Sequence, residues 1–226
     1  MNNTISNNQP PTQMSQKNSH LKLMIDFLEK KRNPVILELG VERGTSTKAF
    51  VWFAEKNDAT VYSVDINDCS KVLKSDKWNF IQSNDLHIDF ILKKFNDISK
   101  NGVDLIYIDS YHENFHVLKL MNIWFKYLKK DGAIFVDDVD SIPFRRKEDT
   151  WNSIVYDLTD EIIKDFYYNN DDKIFYTRYF GENGLAKLQK QTDLFDEPNL
   201  VKKIWNYNPI IKYLYPYLRN LKKLFK

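Results

Sequence analysis

Residues 35–46 read VILELGVERGTS, and three related stretches follow: SVDIN around Asp65, IYIDSYH around Asp109 and FVDDVD around Asp137 and Asp138. Each is a short apolar run that ends in an acidic residue or a glycine. Buried parallel strands deliver polar tips to a crevice in this way. Four such tips in order indicate one nucleotide-type site at a single edge of a sheet.

The composition limits the class of protein. The 226 residues suffice to bury one α/β core but are few for two, and 33 basic against 31 acidic residues give no global field that would favour nucleic acid as a partner. Cys69 is the only cysteine, which excludes a disulfide framework or a cysteine-rich zinc site within the chain. With neither a secretory signal pattern nor an apolar run near the ~20 residues that span a bilayer, we expect a cytoplasmic protein.

Composition also divides the chain into three parts. Residues 1–19 are rich in Asn, Gln, Ser and Pro, which predicts a disordered arm, and residues 20–197 carry the pattern of a single domain. Residues 198–226 contain no acid and interleave lysines with aromatic and aliphatic residues, although Pro209 and Pro216 break them into short pieces. This tail predicts either a peripheral contact with the inner membrane or a packing contact on the domain or in a homo-oligomer.

Alternating apolar patterns predict an α/β fold of five parallel strands connected by helices. The strands are expected at residues 35–39, 60–64, 79–82, 103–108 and 133–136. The helices are expected at residues 21–28, 47–56, 86–98 and 114–129, the first covering the sheet edge or the cofactor and the last stopped by Asp131 and Gly132. A further helix at 151–166 and an antiparallel pair at 174–179 and 184–189 complete the pattern.

This order resembles the class I S-adenosylmethionine (SAM)-dependent methyltransferases over roughly residues 35–190. It is most similar to the small bacterial O-methyltransferases grouped with macrocin O-methyltransferases and the cephalosporin hydroxylase family. Members carry ELGxxxGxS, an IDxxH-type fourth strand and a DD pair after the fifth, and all three are present here. The resemblance implies a Rossmann-like sheet of seven strands in the order 3-2-1-4-5-7-6, the last antiparallel, with SAM as the methyl donor.

Gly40 and Gly44 leave room for a ligand at a strand-to-helix turn whose N–H groups are free. Three residues separate the two glycines, which disfavours the GxGxxG pattern of dinucleotide enzymes. By resemblance, Glu38 and Gly40 border the methionine part of SAM, and Ser46 belongs to the same motif. The alternative is a tight turn without a ligand.

The tips of the second and third strands supply further candidate cofactor contacts. Asp65 can accept hydrogen bonds from both hydroxyls of a ribose, unless it is a capping or solvated acid. By resemblance, Asp85 would reach the adenine amino group and Asn84 would line the ring. Either residue could instead cap a helix that begins at Leu86, because Asn and Asp are good N-caps.

Asp109, Asp137 and Asp138 form a candidate metal site. If the fourth and fifth strands are neighbours, their tips bring three carboxylates together beside the cofactor. Three negative charges at this distance repel one another unless a cation binds between them. Oxygen ligands select Mg2+, with Mn2+ or Ca2+ as alternatives, and the ion would lower the pKa of a substrate hydroxyl. Without a metal, these acids would serve SAM, the acceptor or solvent, and Asp140 is a fourth acid nearby.

His112, three residues after Asp109, is a candidate general base that could work with the metal or replace it. The alternative is a structural histidine at a loop or helix start. His116 could share its helical face, but a zinc pair would lack further ligands. Four residues flank the site and could shape acceptor binding, with the arginines suited to carboxylate or phosphate groups or else solvated: Tyr111, Phe144, Arg145 and Arg146.

The sequence therefore predicts a SAM-dependent O-methyltransferase, assisted by Mg2+, that acts on a hydroxyl of a small-molecule or glycan acceptor. The resemblance makes sugars and secondary metabolites the expected acceptor class. Two alternatives stand beside this prediction. One is a metal-independent methyltransferase in which His112 is the base, and the other is a non-catalytic SAM-binding protein.

Overall fold

The computed structural model describes residues 19–204 and the single residue Leu214. The predicted arm at 1–19 falls outside the described residues except for Ser19, which is buried and caps the first helix, and most of the predicted basic tail also falls outside them. Seven strands form one sheet in the order β3-β2-β1-β4-β5-β7-β6. They are β1 (Val35–Leu39), β2 (Thr60–Asp65), β3 (Trp78–Gln82), β4 (Val103–Ile108), β5 (Leu128–Asp137), β6 (Ile174–Tyr179) and β7 (Leu185–Lys190).

The pairing confirms the predicted topology. Strands β1 to β5 pair in parallel, whereas β7 runs antiparallel to both β5 and β6. The helices are α1 (His20–Leu28), α2 (Thr45–Asn57), α3 (Ile88–Lys94), α4 (Asn96–Asn101), α5 (Asn114–Trp124), α6 (Ile142–Arg145) and α7 (Thr150–Tyr168). Within residues 19–204, no helix combines the length and the apolar character needed to cross a membrane.

Helices α1 and α2 cover one face of the sheet. Met24 and Leu28 of α1 are fully buried with Phe50 of α2, and Phe27 meets Phe135 of β5 edge-on at 5.5 Å between ring centroids. Each such side chain contributes about 1.5–3 kcal/mol when buried. The first helix was expected to cover the sheet edge or the cofactor. Its apolar stripe packs on the face of the sheet, and His20 at its start reaches Asp137 at the carboxyl edge.

Of the predicted helices, one is divided into two and another ends early. The predicted helix at 86–98 is divided into α3 and α4 by Phe95, whose ring packs against Tyr62 of β2 at 4.5 Å. The predicted helix at 114–129 ends at Trp124, and after one 3-10 turn the chain enters β5 at Leu128. Pairing with β4 satisfies the backbone of this segment and overrides its helical pattern.

The carboxyl ends of the five parallel strands share one edge of the sheet, as expected for this class of fold. Strands β4 and β5 are direct neighbours, with Ile108 paired to Val136. The residues that follow these two positions, Asp109 and Asp137, therefore emerge side by side. The fold in this way supplies the juxtaposition that the sequence predicts for the acidic tips.

Candidate active site

A crevice of about 710 Å³ opens at this edge of the sheet. Its walls contain eight of the predicted site residues: Gly40, Ser46, Asp65, Asn84, Asp85, Asp109, His112 and Asp138. Glu38, Gly44 and Asp137 do not line it. The site predicted from strand tips is therefore assembled in large part, with three residues behind its surface.

The glycine turn between β1 and α2 is shaped by the protein's own backbone. Gly40 has φ +102°, and a Cβ there would lie 2.1 Å from the carbonyl oxygen of Asp109. Gly44 has φ +71° at the N-cap of α2, where a Cβ would lie 1.9 Å from Val72 Cγ1. These glycines are required for a close approach between loops, in addition to any room that they leave for a ligand.

Glu38 lies beneath this turn instead of on the crevice wall. Its carboxylate is fully buried and accepts hydrogen bonds from the hydroxyls of Ser46 (2.5 Å), Thr47 (2.7 Å) and Ser63 (2.6 Å). Burial raises the pKa of Glu38 to about 7, although the three hydroxyls act in the opposite direction. The carboxylate thus ties α2 and β2 to the back of the loop, and the prediction that Glu38 borders the methionine part of SAM stays a prediction.

Asp65, at the tip of β2, is held as a carboxylate. Its Oδ2 accepts from the backbone N–H groups of Val41 (2.8 Å) and Glu42 (3.1 Å), and its Oδ1 accepts from that of Asn67 (2.8 Å). Burial acts to raise the pKa of Asp65, but these donors outweigh it and hold the pKa below its usual value. An ionised acceptor therefore stands at the crevice wall, as ribose binding requires.

The loop after β3 places Asn84 and Asp85 in the wall. Asn84 Oδ1 accepts from the N–H of Leu86 at 2.9 Å, which is a local turn contact. Asp85 caps no helix, because its Oδ2 accepts from the Ser110 hydroxyl at 2.6 Å and from His116 Nε2 at 3.0 Å. The capping alternative applies in part to Asn84 and not to Asp85.

Behind the wall, Asp137 is paired on both oxygens. Its Oδ1 accepts from His20 Nδ1 at 2.9 Å, and its Oδ2 accepts from the Tyr107 hydroxyl at 2.6 Å. His20 Nε2 also faces an acceptor, the Gly181 carbonyl at 3.1 Å, so both ring nitrogens donate and the imidazolium is favoured. Burial lowers the pKa of His20, but these partners raise it overall. Burial likewise opposes ionisation of Asp137, yet His20 brings the pKa of Asp137 below its usual value.

Asp109 sits next to this pair in a different protonation state. The Tyr107 hydroxyl is 3.1 Å from Asp109 Oδ2, but its single proton is already committed to the shorter contact with Asp137. Burial, followed by the charges of Asp137 and Asp138, raises the pKa of Asp109 to about 8. A proton on Asp109 completes the Tyr107 contact at neutral pH.

His112 lies between the two remaining carboxyl groups. Its Nε2 is 3.5 Å from Asp109 Oδ1 and 3.3 Å from Asp138 Oδ2. Helix α7 fixes both sides of this arrangement, because the Tyr156 hydroxyl donates to Asp138 Oδ2 at 3.0 Å and Thr159 donates to the His112 carbonyl at 3.1 Å. His112 is thus a crevice-lining residue with its ring next to negative charge, and not a solvated loop residue.

The predicted trio of metal ligands does not converge on one point. Across residues 19–204, no three or more His, Cys, Asp or Glu side chains are arranged to hold a metal ion. Asp137 is engaged by His20 and Tyr107, and the His112 ring lies beside Asp109 and Asp138. The arrangement does not fit three carboxylates around a cation.

Three other residues near the site, Asp140, Phe144 and Arg145, have structural partners. The fourth acid, Asp140, turns away toward Arg178, at 3.8 Å. Phe144 packs edge-on against Tyr156 at 4.6 Å, and Arg145 forms an ion pair with Asp157 of α7. The two last contacts hold α6 against α7, so the predicted acceptor role of Phe144 and Arg145 competes with a structural one.

Sequence reasoning missed Tyr107, His20 and Tyr156. Tyr107 could have been found, because residues two apart on a strand share a face and Asp109 follows at that spacing. His20 and Tyr156 carry no local signal. They reach the site only because α1 and α7 dock beside it.

Comparison with known proteins supports this assignment of the fold. Residues 37–139 match the model of a family described as a methyltransferase domain. A sequence search of curated proteins finds no match. A Podospora anserina methyltransferase, PaMTH1, bound to S-adenosylhomocysteine (SAH), has a TM-score of 0.60 at 15% identity over 76% of this chain and 78% of that one.

Two further solved structures share the fold. A Staphylococcus aureus protein provisionally assigned as a caffeoyl-CoA O-methyltransferase has a TM-score of 0.55 at 20% identity, over 75% of this chain and 82% of that one. MycE, a methyltransferase of the mycinamycin biosynthetic pathway in complex with Mg and SAH, has a TM-score of 0.54 at 20% identity, over 75% of this chain and 49% of MycE. Residues 37–139 therefore carry a methyltransferase domain, and the strand order of the sheet is that of the class I SAM-dependent methyltransferases.

Proposed function

We propose that this methyltransferase transfers the methyl group of SAM to a hydroxyl oxygen of a small-molecule or saccharide acceptor, with His112 as the general base. The observation that carries the proposal is the position of His112 Nε2, within 3.5 Å of Asp109 and Asp138 at the end of the crevice. A protonated acceptor hydroxyl is a poor nucleophile, so a base at this point has a chemical purpose.

The proposed reaction is a single displacement. The acceptor oxygen attacks the sulfonium methyl group, the O–C bond forms as the C–S bond breaks, and the hydroxyl proton passes to His112 Nε2. The products are a methyl ether and SAH. Because the pKa of Asp109 is raised to about 8, Asp138 supplies most of the negative charge that stabilises the imidazolium at neutral pH. Tyr156 orients that carboxylate through its hydroxyl.

The choice of oxygen as the methylated atom draws on one structural neighbour, which is provisionally assigned as an O-methyltransferase. The proposal of a small or saccharide acceptor draws on the resemblance to macrocin-type enzymes. Tyr111, which is exposed at the rim of the crevice, offers an aromatic surface for a ring.

Assistance by Mg2+ is a second candidate, favoured by the Mg in the MycE complex. Asp109 and Asp138 each lie within 3.5 Å of His112 Nε2, so a cation between them would have to displace that ring, and Asp137 would have to release Tyr107 or His20. A bound Mg2+ would lower the pKa of the acceptor hydroxyl.

The test compares wild type with His112→Gln and with His87→Gln, a matched substitution of an exposed histidine. Each protein is incubated with SAM and a panel of catechols, polyols and glycosides, and SAH is quantified with Mg2+ or with EDTA. We expect His112→Gln to lower turnover by about 10²–10⁴-fold at unchanged SAH affinity, with EDTA having no effect on wild type. Retained turnover in His112→Gln that EDTA abolishes would replace the base mechanism with the Mg2+ version.

A further inference from the structure

We infer that His116 is a positioning residue that makes the site selective for the adenine amino group of the cofactor. The inference concerns the cofactor side of the methyltransferase and is independent of the acceptor proposed above. It rests on the contacts of Asp85, the predicted adenine contact, which lies in the crevice wall with only 8% of its surface exposed.

Both donors to Asp85 reach the same oxygen. Ser110 Oγ donates to Oδ2 at 2.6 Å, and His116 Nε2 lies 3.0 Å from that atom. A carboxylate only accepts hydrogen bonds, so Nε2 must carry the proton. Among the described residues, no donor approaches Asp85 Oδ1, and that atom is not sealed from solvent.

These contacts join distant parts of the sheet edge. Asp85 follows β3, whereas Ser110 follows β4, and β2 and β1 lie between those strands. The link therefore runs across three strand spacings, about 14 Å, and both loops must bend over the tips of β1 and β2. The carboxylate is thereby fixed in the wall where a cofactor base would lie.

His116 is itself well fixed. It stands in the first turn of α5, where its N–H donates to Glu113 Oε2 at 2.9 Å, and its ring meets Tyr111 edge-on at 5.6 Å between ring centroids. Its side chain is only 14% exposed. The backbone contact with Glu113 and the ring contact with Tyr111 fix the orientation of the imidazole, so that its Nε2–H points at Oδ2 of Asp85. The Asp85 side chain therefore has little rotational freedom.

The consequence is selectivity. With Oδ2 occupied by two donors, the remaining capacity of the carboxylate lies on Oδ1, which can only accept. Such a group favours a ligand with an N–H donor, such as the 6-amino group of adenine, and disfavours a carbonyl oxygen at that position. Sites built to hydrogen-bond one polar group discriminate strongly against analogues that lack it.

The experiment measures binding of SAH and of S-inosylhomocysteine, which differs by carrying an oxo group in place of the adenine amino group. Calorimetric titration is performed on the full chain for wild type, His116→Ala and His116→Gln, with His87→Ala as the exposed control. We expect His116→Ala to weaken SAH binding about tenfold and to leave S-inosylhomocysteine binding unchanged. His116→Gln, whose amide also carries a donor, should recover most of the loss.

A second variant tests the assignment of the two oxygens. In Asp85→Asn, the amide oxygen should take the place of Oδ2, because Ser110 and His116 both donate there, and the amide NH2 should then face the crevice. The preference should reverse in favour of S-inosylhomocysteine. Equal weakening of both ligands in His116→Ala, or an unchanged preference in Asp85→Asn, would overturn the inference, whereas failure of wild type to bind SAH would instead overturn the cofactor assignment.

Discussion

The two walls of the crevice are built in different ways. On the cofactor wall, the Asp65 carboxylate is satisfied by backbone N–H groups of its own and the neighbouring loop. On the opposite wall, called here the acceptor wall, Asp138 and the Asp137 side chain behind it are satisfied by side chains from remote elements, Tyr156 of α7 and His20 of α1. The first wall depends on the path of the backbone, and the second depends on the docking of helices.

The largest effect should come from the backbone of the cofactor wall. Gly40→Ala combines a positive φ with a Cβ 2.1 Å from the Asp109 carbonyl, so we expect a loss of about 4 kcal/mol in the free energy of unfolding and no measurable SAH binding. Gly181→Ala is the matched control, because Gly181 also has a positive φ but a Cβ added there would meet nothing within 4 Å. Urea unfolding and calorimetry provide both readouts. Equal losses in the free energy of unfolding of the two variants would show that the close contact between a Cβ at position 40 and the Asp109 carbonyl is not what destabilises Gly40→Ala.

The next effect should come from the remote partner of the acceptor wall. His20→Ala leaves the buried Asp137 carboxylate without its charged partner, and we expect a loss of about 3 kcal/mol in the free energy of unfolding. His87→Ala, on the surface, should change little. If His20→Ala and His87→Ala were equally stable, the prediction that the acceptor wall depends on α1 would be wrong.

The same pair has a defined pH dependence. The folded pKa of His20 is raised above 6.5, so its contribution is complete below about pH 6.5 and is lost as pH rises through the folded value. The folded pKa of Asp137 is lowered below 3.8, so its contribution is present above about pH 4 and is lost as pH falls through the folded value. In metal-free buffer, the stability difference between wild type and His20→Ala should be greatest between about pH 4 and 6.5. A difference that grows above pH 7 would contradict this pairing.

A smaller effect should come from Glu38, the acid buried behind the cofactor wall. The pKa of Glu38 is raised from 4.5 to about 7 in the folded protein, so the folded state holds this proton more tightly and wild type loses stability as pH rises through that interval. Glu38→Gln does not titrate. We expect its stability relative to wild type to improve by about 2 kcal/mol between pH 5 and pH 8, as measured by urea unfolding. A constant difference across that range would show that Glu38 is already ionised at pH 5.

The smallest effect on stability should come from Tyr156→Phe, which tests whether the acceptor wall can be changed without altering cofactor binding. Tyr156→Phe removes the hydroxyl that donates to Asp138, and we expect a loss of about 1 kcal/mol in stability with unchanged SAH affinity. Tyr168→Phe is the control on the same helix, because Tyr168 is exposed. Weaker SAH binding in Tyr156→Phe alone would mean that the two walls are coupled.

The strand tips could be predicted because each is a local pattern. Apolar runs that end in an acid or a glycine placed Asp65, Asp109 and Asp137 at one edge, and the observed strand order agrees with the order that the resemblance implied. The helix pattern failed where pairing overrode it. Residues 128–129 belong to β5 because Leu128 pairs with Val103, a partner that no local pattern indicates.

The sequence by itself therefore determined the class of fold, the edge that carries the crevice and eight of the residues that line it. The tertiary structure alone decided which of the predicted residues face the crevice and in what protonation state. Glu38 lies behind the glycine turn and not on the crevice wall, and Asp137 pairs with His20, which is 117 residues away in the sequence. The physical reason is that strand periodicity is a property of consecutive residues, whereas burial and charge pairing depend on elements far apart in sequence.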